Sequence, residues 1–176
     1  MESPELMSPR KTESRPRIKL VWNGFDWAIE VLSISCLTVL LLITASNYGL
    51  LPDQVPNHFN WYGQPDSWTG RGSVWILPVV AFLLYGALTI INRFPYTFNY
   101  PVKITDENAL RQYRIATRLI RILKLLSIAS LTWINYQIIR VALNQTSGLG
   151  TYYLLIFLLT VFGAIGFLIF RSVKLK

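Results

Sequence analysis

The 176-residue sequence has little charge and almost no thiol or imidazole groups. Charged residues make up 15% of the chain, which contains a single cysteine, Cys36, and a single histidine, His58. One cysteine excludes a disulfide within the chain and a thiol cluster for a metal, so we interpret Cys36 as a packing residue. Because soluble domains of this length usually carry more charge, the composition argues against a soluble protein.

The sequence also lacks the short motifs of several well-known enzyme classes. It contains no HExxH zinc motif, no Gly-x-Ser-x-Gly elbow and no glycine-rich phosphate loop. We therefore expect a non-enzymatic protein that needs no cofactor.

Long apolar runs are abundant instead, and hydrophobic residues form 52% of the chain. Each of four windows approaches or exceeds the length that crosses a bilayer as a helix, about 20 residues. We predict an all-α membrane protein with four transmembrane helices in an up-down-up-down bundle, because short loops favour antiparallel neighbours. The four windows are Val31–Leu51, Val74–Ile91, Leu125–Leu143 and Tyr152–Phe170.

The expected domain organisation follows from these windows. Residues 1–20 mix charge, serine and proline, which predicts a disordered cytoplasmic tail. Residues 21–176 are expected to form one transmembrane domain. Its helices are predicted at about 27–50, 74–93, 106–143 and 151–171. The first apolar run is longer than the core of a signal peptide, so we expect it to be retained.

Lysine and arginine are distributed unevenly around these helices. Five precede the first window, seven lie between the second and third, and three follow the fourth, whereas the loop of residues 52–73 has only Arg71. Basic residues near helix ends are retained on the cytoplasmic side. Both termini are therefore expected inside, with the 52–73 loop outside. The same residues would attract anionic lipid headgroups, so the net charge of +8 does not require nucleic acid.

A basic stripe is expected at the start of the third helix. Arginines recur there at spacings of three and four residues, which places them on one side of a helix. The stripe predicts contact with lipid headgroups or, alternatively, with an acidic cytoplasmic protein. Its members are Arg111, Arg114, Arg118 and Arg121.

The outer loop combines turn-forming residues with the single histidine. Its prolines fix backbone dihedrals, Gly63 permits a positive φ, and Asp53, Asn60 and Asp66 favour turns by bonding nearby amides. This pattern predicts a rigid cap on the bundle. In a second interpretation, His58 with Asp53 and Asp66 would hold a metal or activate water. These three residues fall short of three ligands plus water unless another group contributes.

The loop motif also resembles a known family. The motif consists of Pro52, Asp53, Pro56, His58, Phe59, Asn60, Gly63, Pro65 and Asp66. It is similar to the membrane domain of unknown function 1648, which opens proteins of the SdpI type. This resemblance implies a short stand-alone family member in a bacterial cytoplasmic membrane, with an immunity-like or membrane-signalling role. Full-length immunity proteins carry a further membrane portion beyond the four helices predicted here.

Three functions follow as expectations. The first is a non-enzymatic membrane protein whose loop is a recognition or structural cap. The second is an accessory subunit of a larger membrane complex, in which the loop fills an interface with another membrane protein. The third is a metal-dependent membrane enzyme that uses His58.

Overall fold

The structure, a computed structural model, describes residues 15–175. This part of the chain has four long helices, as the apolar windows predicted. They are α1 (Gly24–Asn47), α2 (Ile76–Ile91), α3 (Ala109–Ala142) and α4 (Tyr153–Lys174). Short 3-10 segments extend α1 and precede α2.

Local hydrogen bonds explain where α1 begins and form the turn that precedes α3. At α1, the Asn23 side chain accepts from the Asp26 amide at 3.0 Å, and Asp26 accepts from the Asn23 amide at 3.1 Å. This reciprocal pair satisfies two backbone donors at the helix start. The start of α3 lies at Ala109 instead of the predicted 106. Before it, the Asn108 side chain accepts from the Thr105 amide in a separate turn.

Residues 52–73 form a β-hairpin, whereas the sequence predicted an ordered loop without strands. Strand β1 (Gln54–Phe59) pairs antiparallel with β2 (Pro65–Gly70). Sequence analysis missed the strands because prolines are unfavourable in sheet interiors. In a two-stranded sheet both strands are edges, where a proline without an N–H is tolerated. The fold is therefore mostly helical with one small sheet.

Helix α3 lies at the centre and packs against each of the other three helices. Paired contacts give the helix directions: α1 and α3 run the same way, and α2 and α4 run opposite to them. The contacts are Asp26–Arg121 and Thr44–Asn135 for α1 with α3, Glu30–Tyr85 and Tyr48–Trp75 for α1 with α2, and Ser130–Tyr153 and Gln112–Ser172 for α3 with α4. We call the end of the bundle that carries the hairpin the hairpin end. The opposite end, which contains Arg121, is the basic end.

Three of the described helical segments are long and apolar enough to cross a membrane. They are Gly24–Leu50, Arg71–Ile91 and Tyr153–Lys174. Large apolar side chains such as Phe82, Leu159 and Phe162 are exposed on them. Exposed apolar surface of this extent is unfavourable in water but not in lipid. The fold therefore indicates a membrane protein.

The residues before α1 lie along the basic end. The predicted tail falls mostly on residues 1–14, which are outside the described part of the chain. Residues 15–20 contain no helix or strand and contact the rest of the protein. Tyr113 donates to the Pro16 carbonyl at 3.0 Å, and the Arg17 guanidinium lies 4.9 Å from the centroid of the Tyr96 ring. Burial raises the pKa of Tyr113, and the positive charge of Arg15 opposes that shift.

Candidate functional site

One face of the hairpin is buried against the helices. Val55 in β1 packs with Leu51, Val74 and α3 residues that include Ile138 and Ile139. Burying one such aliphatic side chain stabilises a fold by about 1.5–3 kcal/mol. The hairpin therefore packs against the helices at this end of the bundle.

The turn of the hairpin is closed by Asn60. Its side-chain oxygen accepts from the Tyr62 amide at 2.9 Å and from the Gln64 amide at 3.1 Å. Gly63 completes the turn with a φ of 75°, a conformation that favours glycine. The Asx-type turn and the positive φ agree with the sequence interpretation of these two residues.

A second set of glycines fixes the turn to the loop between α3 and α4. The Leu149 amide donates to the Gly63 carbonyl at 2.7 Å. A Cβ on Gly148 would lie 1.9 Å from that same carbonyl oxygen, so only glycine fits there. The buried Gln137 side chain donates to the Gly148 carbonyl at 2.7 Å. The turn is thus connected through the loop to α3, a role for Gly148 that sequence reasoning missed.

The exposed side of the hairpin carries aromatic rings. Trp61 is 82% exposed, Tyr62 72% and Trp68 47%. The backbone that carries them is held by the turn and by the buried face of the hairpin. The hairpin end therefore presents exposed aromatic rings, which we call the aromatic face.

His58 pairs with Asp66 on this exposed side. The His58 Nδ1 atom lies 2.6 Å from Asp66 Oδ1, and both side chains are solvent-exposed. Asp53 is not part of the pair. It lies at the other end of the strand, roughly 16 Å away at 3.3 Å per residue, where its carbonyl accepts from the Arg71 amide at 2.9 Å.

The structure therefore does not assemble the hypothesised metal site. Within residues 15–175, no three His, Cys, Asp or Glu side chains lie close enough to hold a metal ion together. The remaining residues of the loop motif have structural positions. Pro52 precedes β1, Pro56 is buried within it, Phe59 packs near Val55, and Pro65 begins β2 opposite Phe59.

The basic end contains buried charge pairs that the sequence did not identify as a site. Lys124 on α3 donates to both Glu30 carboxylate oxygens, at 2.8 and 2.9 Å, and to the Thr89 hydroxyl at 3.0 Å. Tyr85 on α2 donates to the same carboxylate at 2.5 Å. These bonds join α1, α2 and α3 at one point. A buried pair is tolerated when its remaining polar groups are satisfied in this way.

The arginine stripe is divided between this interior and the surface. Arg121 is buried and donates to Asp26 Oδ1 at 3.1 Å, and Arg118 donates to the same oxygen at 3.2 Å. Arg111 donates to the Leu175 carbonyl at 3.3 Å, and Arg114 is exposed. Arg121 is therefore buried in an ion pair rather than exposed along the stripe as the sequence had predicted. The cause is Asp26, which is distant in sequence but lies against α3.

Comparisons with known proteins match the hairpin to a family. Residues 36–82 match the Domain of unknown function (DUF1648), and this segment includes the second half of α1, the hairpin and the start of α2. An uncharacterised protein from Archaeoglobus fulgidus is 28% identical over 146 residues, covering 75% of this chain and 80% of that protein. No solved structure gives a significant match. Residues 36–82 are thus similar to the DUF1648 family, and this match confirms the resemblance carried by the loop motif.

Proposed function

We propose that this chain is a non-enzymatic membrane protein of four spans, in which α3 crosses the bilayer at about residues 125–143. This part of α3 contains Asn135, Gln137 and Arg140, which lower its hydropathy. Because α3 is surrounded by the other helices, Asn135 and Gln137 face protein rather than lipid. Asn135 donates to the Thr44 hydroxyl at 2.7 Å. Such cross-helix bonds are typical of polar residues in membrane bundles.

The four spans then alternate in direction, and the hairpin end faces away from the cytoplasm. The alternation is supported by the parallel packing of α1 with α3 and the opposite direction of α2 and α4. The orientation is supported by the lysines and arginines at the basic end, including Lys19 and Arg93, since such residues favour the cytoplasmic side. The proposed location is the cytoplasmic membrane of bacteria, and the archaeal relative suggests that related chains occur in other prokaryotes.

In this arrangement the hairpin acts as an extracytoplasmic cap that recognises another membrane protein through its aromatic face. The observation that carries this proposal is the combination of one face packed on α3 with exposed aromatic rings on the rest of the hairpin. Tryptophan and tyrosine provide large contact area at little cost in side-chain entropy. Such a cap would suit the immunity-like or signalling roles of the SdpI-type proteins that the loop resembles.

Site-specific cross-linking tests this proposal. A photoreactive amino acid at Trp61 would be irradiated in native membranes, with the same group at Trp27, which is 58% exposed at the basic end, as control. We expect a discrete protein adduct from position 61 that is absent from position 27. A substoichiometric adduct supports recognition, and a constant one-to-one complex supports the accessory-subunit alternative. Adducts with lipid alone would contradict recognition and leave the cap a structural role.

A further inference from the structure

A cavity of about 270 Å³ lies at the basic end, far from the hairpin. Its walls come from the segment 18–22, from Glu30 on α1, from the end of α2 and the turn that follows it, and from α3. This volume is several times the share of one water in the liquid, about 30 Å³. The cavity is therefore large enough to hold a small polar group.

The charges around this cavity do not balance. Four cations and one carboxylate, Glu30, line it, and Asp26 pairs with Arg118 and Arg121. Each carboxylate is already engaged, since Arg118 and Arg121 share one oxygen of Asp26 and its other oxygen accepts from the Asn23 amide. The buried cations Arg121 and Lys124 are matched by Asp26 and Glu30, and Arg118 is only partly buried. Exposed Lys19 and Arg93 on the cavity wall add further positive charge.

Two wall residues also carry buried polar atoms without a hydrogen-bond partner. They are Nε of Arg121, a donor, and Oδ1 of Asn92, an acceptor. The Arg121 guanidinium is held by Asp26 on one side and by the Trp22 ring, whose centroid lies 4.5 Å away. Buried polar groups in native proteins usually have partners. An unpaired donor and an unpaired acceptor indicate a ligand that offers both an anionic oxygen and a hydroxyl.

We propose that this cavity binds a ligand that contains a phosphate group and, close to it, a hydroxyl group. Arg121, Arg93 and Lys19 contact the phosphate oxygens, and Asn92 accepts from the hydroxyl. Two sources share this chemistry: inorganic phosphate that keeps a proton, and the phosphoglycerol headgroup of a lipid. The site is separate from the exposed part of the arginine stripe, because Arg111 and Arg114 do not line this cavity.

Ligand-dependent thermal unfolding of the purified protein in detergent tests the proposal and separates the two sources. One arm adds sodium phosphate against sodium chloride at equal ionic strength. The other adds dioctanoyl phosphatidylglycerol against dioctanoyl phosphatidylcholine, with retained lipid measured by native mass spectrometry. A shift with phosphate alone identifies the free anion, a shift with phosphatidylglycerol alone identifies the headgroup, and either result supports the site. No shift with either probe overturns it.

Matched variants separate the cavity from general surface charge. The double variant Lys19→Gln/Arg93→Gln changes two exposed wall residues, so folding is expected to persist. We expect it to weaken apparent affinity by about tenfold or more, as loss of charge-assisted hydrogen bonds does. Arg121→Lys keeps the charge but removes Nε, and we expect it to weaken apparent affinity as well. Arg114→Gln removes a charge from α3 outside the cavity and should change affinity by less than about twofold. Equal weakening by Arg114→Gln would overturn the proposal.

Discussion

At the hairpin end, Val55 packs on α3 and Gly63 contacts Gly148 through backbone atoms, whereas at the basic end Lys124 and Glu30 join three helices through buried charges. The first arrangement depends on shape and on residues without side chains. The second depends on electrostatic pairing in a site removed from water. The two ends should therefore respond differently to substitution: one to added volume, the other to removal of a single charged partner.

The largest effect is expected at the buried pair. Lys124→Met leaves the Glu30 carboxylate buried without its cation, and breaking such a pair destabilises proteins by about 3–5 kcal/mol. Thermal unfolding in detergent measures this change. The double variant Glu30→Leu/Lys124→Met removes both charges and should recover most of the stability. A double variant no more stable than Lys124→Met would show that the charges are not the cause.

Added volume is the corresponding test at the hairpin end. Gly148→Ala places a Cβ 1.9 Å from the Gly63 oxygen, and overpacking of this kind costs about 1–3 kcal/mol. We expect the Leu149 amide to lose protection in hydrogen exchange, since its bond to Gly63 must lengthen. Gly72→Ala is the control, because no atom lies within 4 Å of its added Cβ. Unchanged protection at Leu149 in Gly148→Ala would mean that the glycine contact does not hold the turn.

The exposed pair on the hairpin should matter least for stability. His58→Ala removes a contact between two solvent-exposed side chains, and such pairs contribute about 0–1 kcal/mol. The midpoint of thermal unfolding should shift by no more than about 4 °C, which is what a stability change of about 1 kcal/mol produces in a chain of this size. Metal analysis of the wild type and this variant completes the test. Stoichiometric metal in the wild type that is lost in His58→Ala would favour the metal-enzyme alternative.

Sequence reasoning was more successful at the hairpin end than at the basic end. The four helices, the Asn60 turn and the positive φ of Gly63 follow from local patterns, namely apolar runs and turn-forming residues. The strands were missed because Pro56 and Pro65 are unfavourable in most sheets. The pairing of Asp26 with Arg121 joins residues far apart in sequence, and the fit of Gly148 against Gly63 depends on the packed loop. Neither contact leaves a periodic signal in the sequence.

Cysteine labelling in intact cells tests most directly whether α3 crosses the membrane and the hairpin faces outward. In a Cys36→Ala background, Gln64→Cys and Gln145→Cys lie on the loops flanking the hairpin end, and Arg114→Cys lies at the basic end; all three positions are exposed. We predict that a membrane-impermeant maleimide labels positions 64 and 145 in intact cells and position 114 only after permeabilisation. Labelling of 114 and 145 from the same side would contradict the four-span arrangement, and labelling of 64 only after permeabilisation would contradict an outward cap.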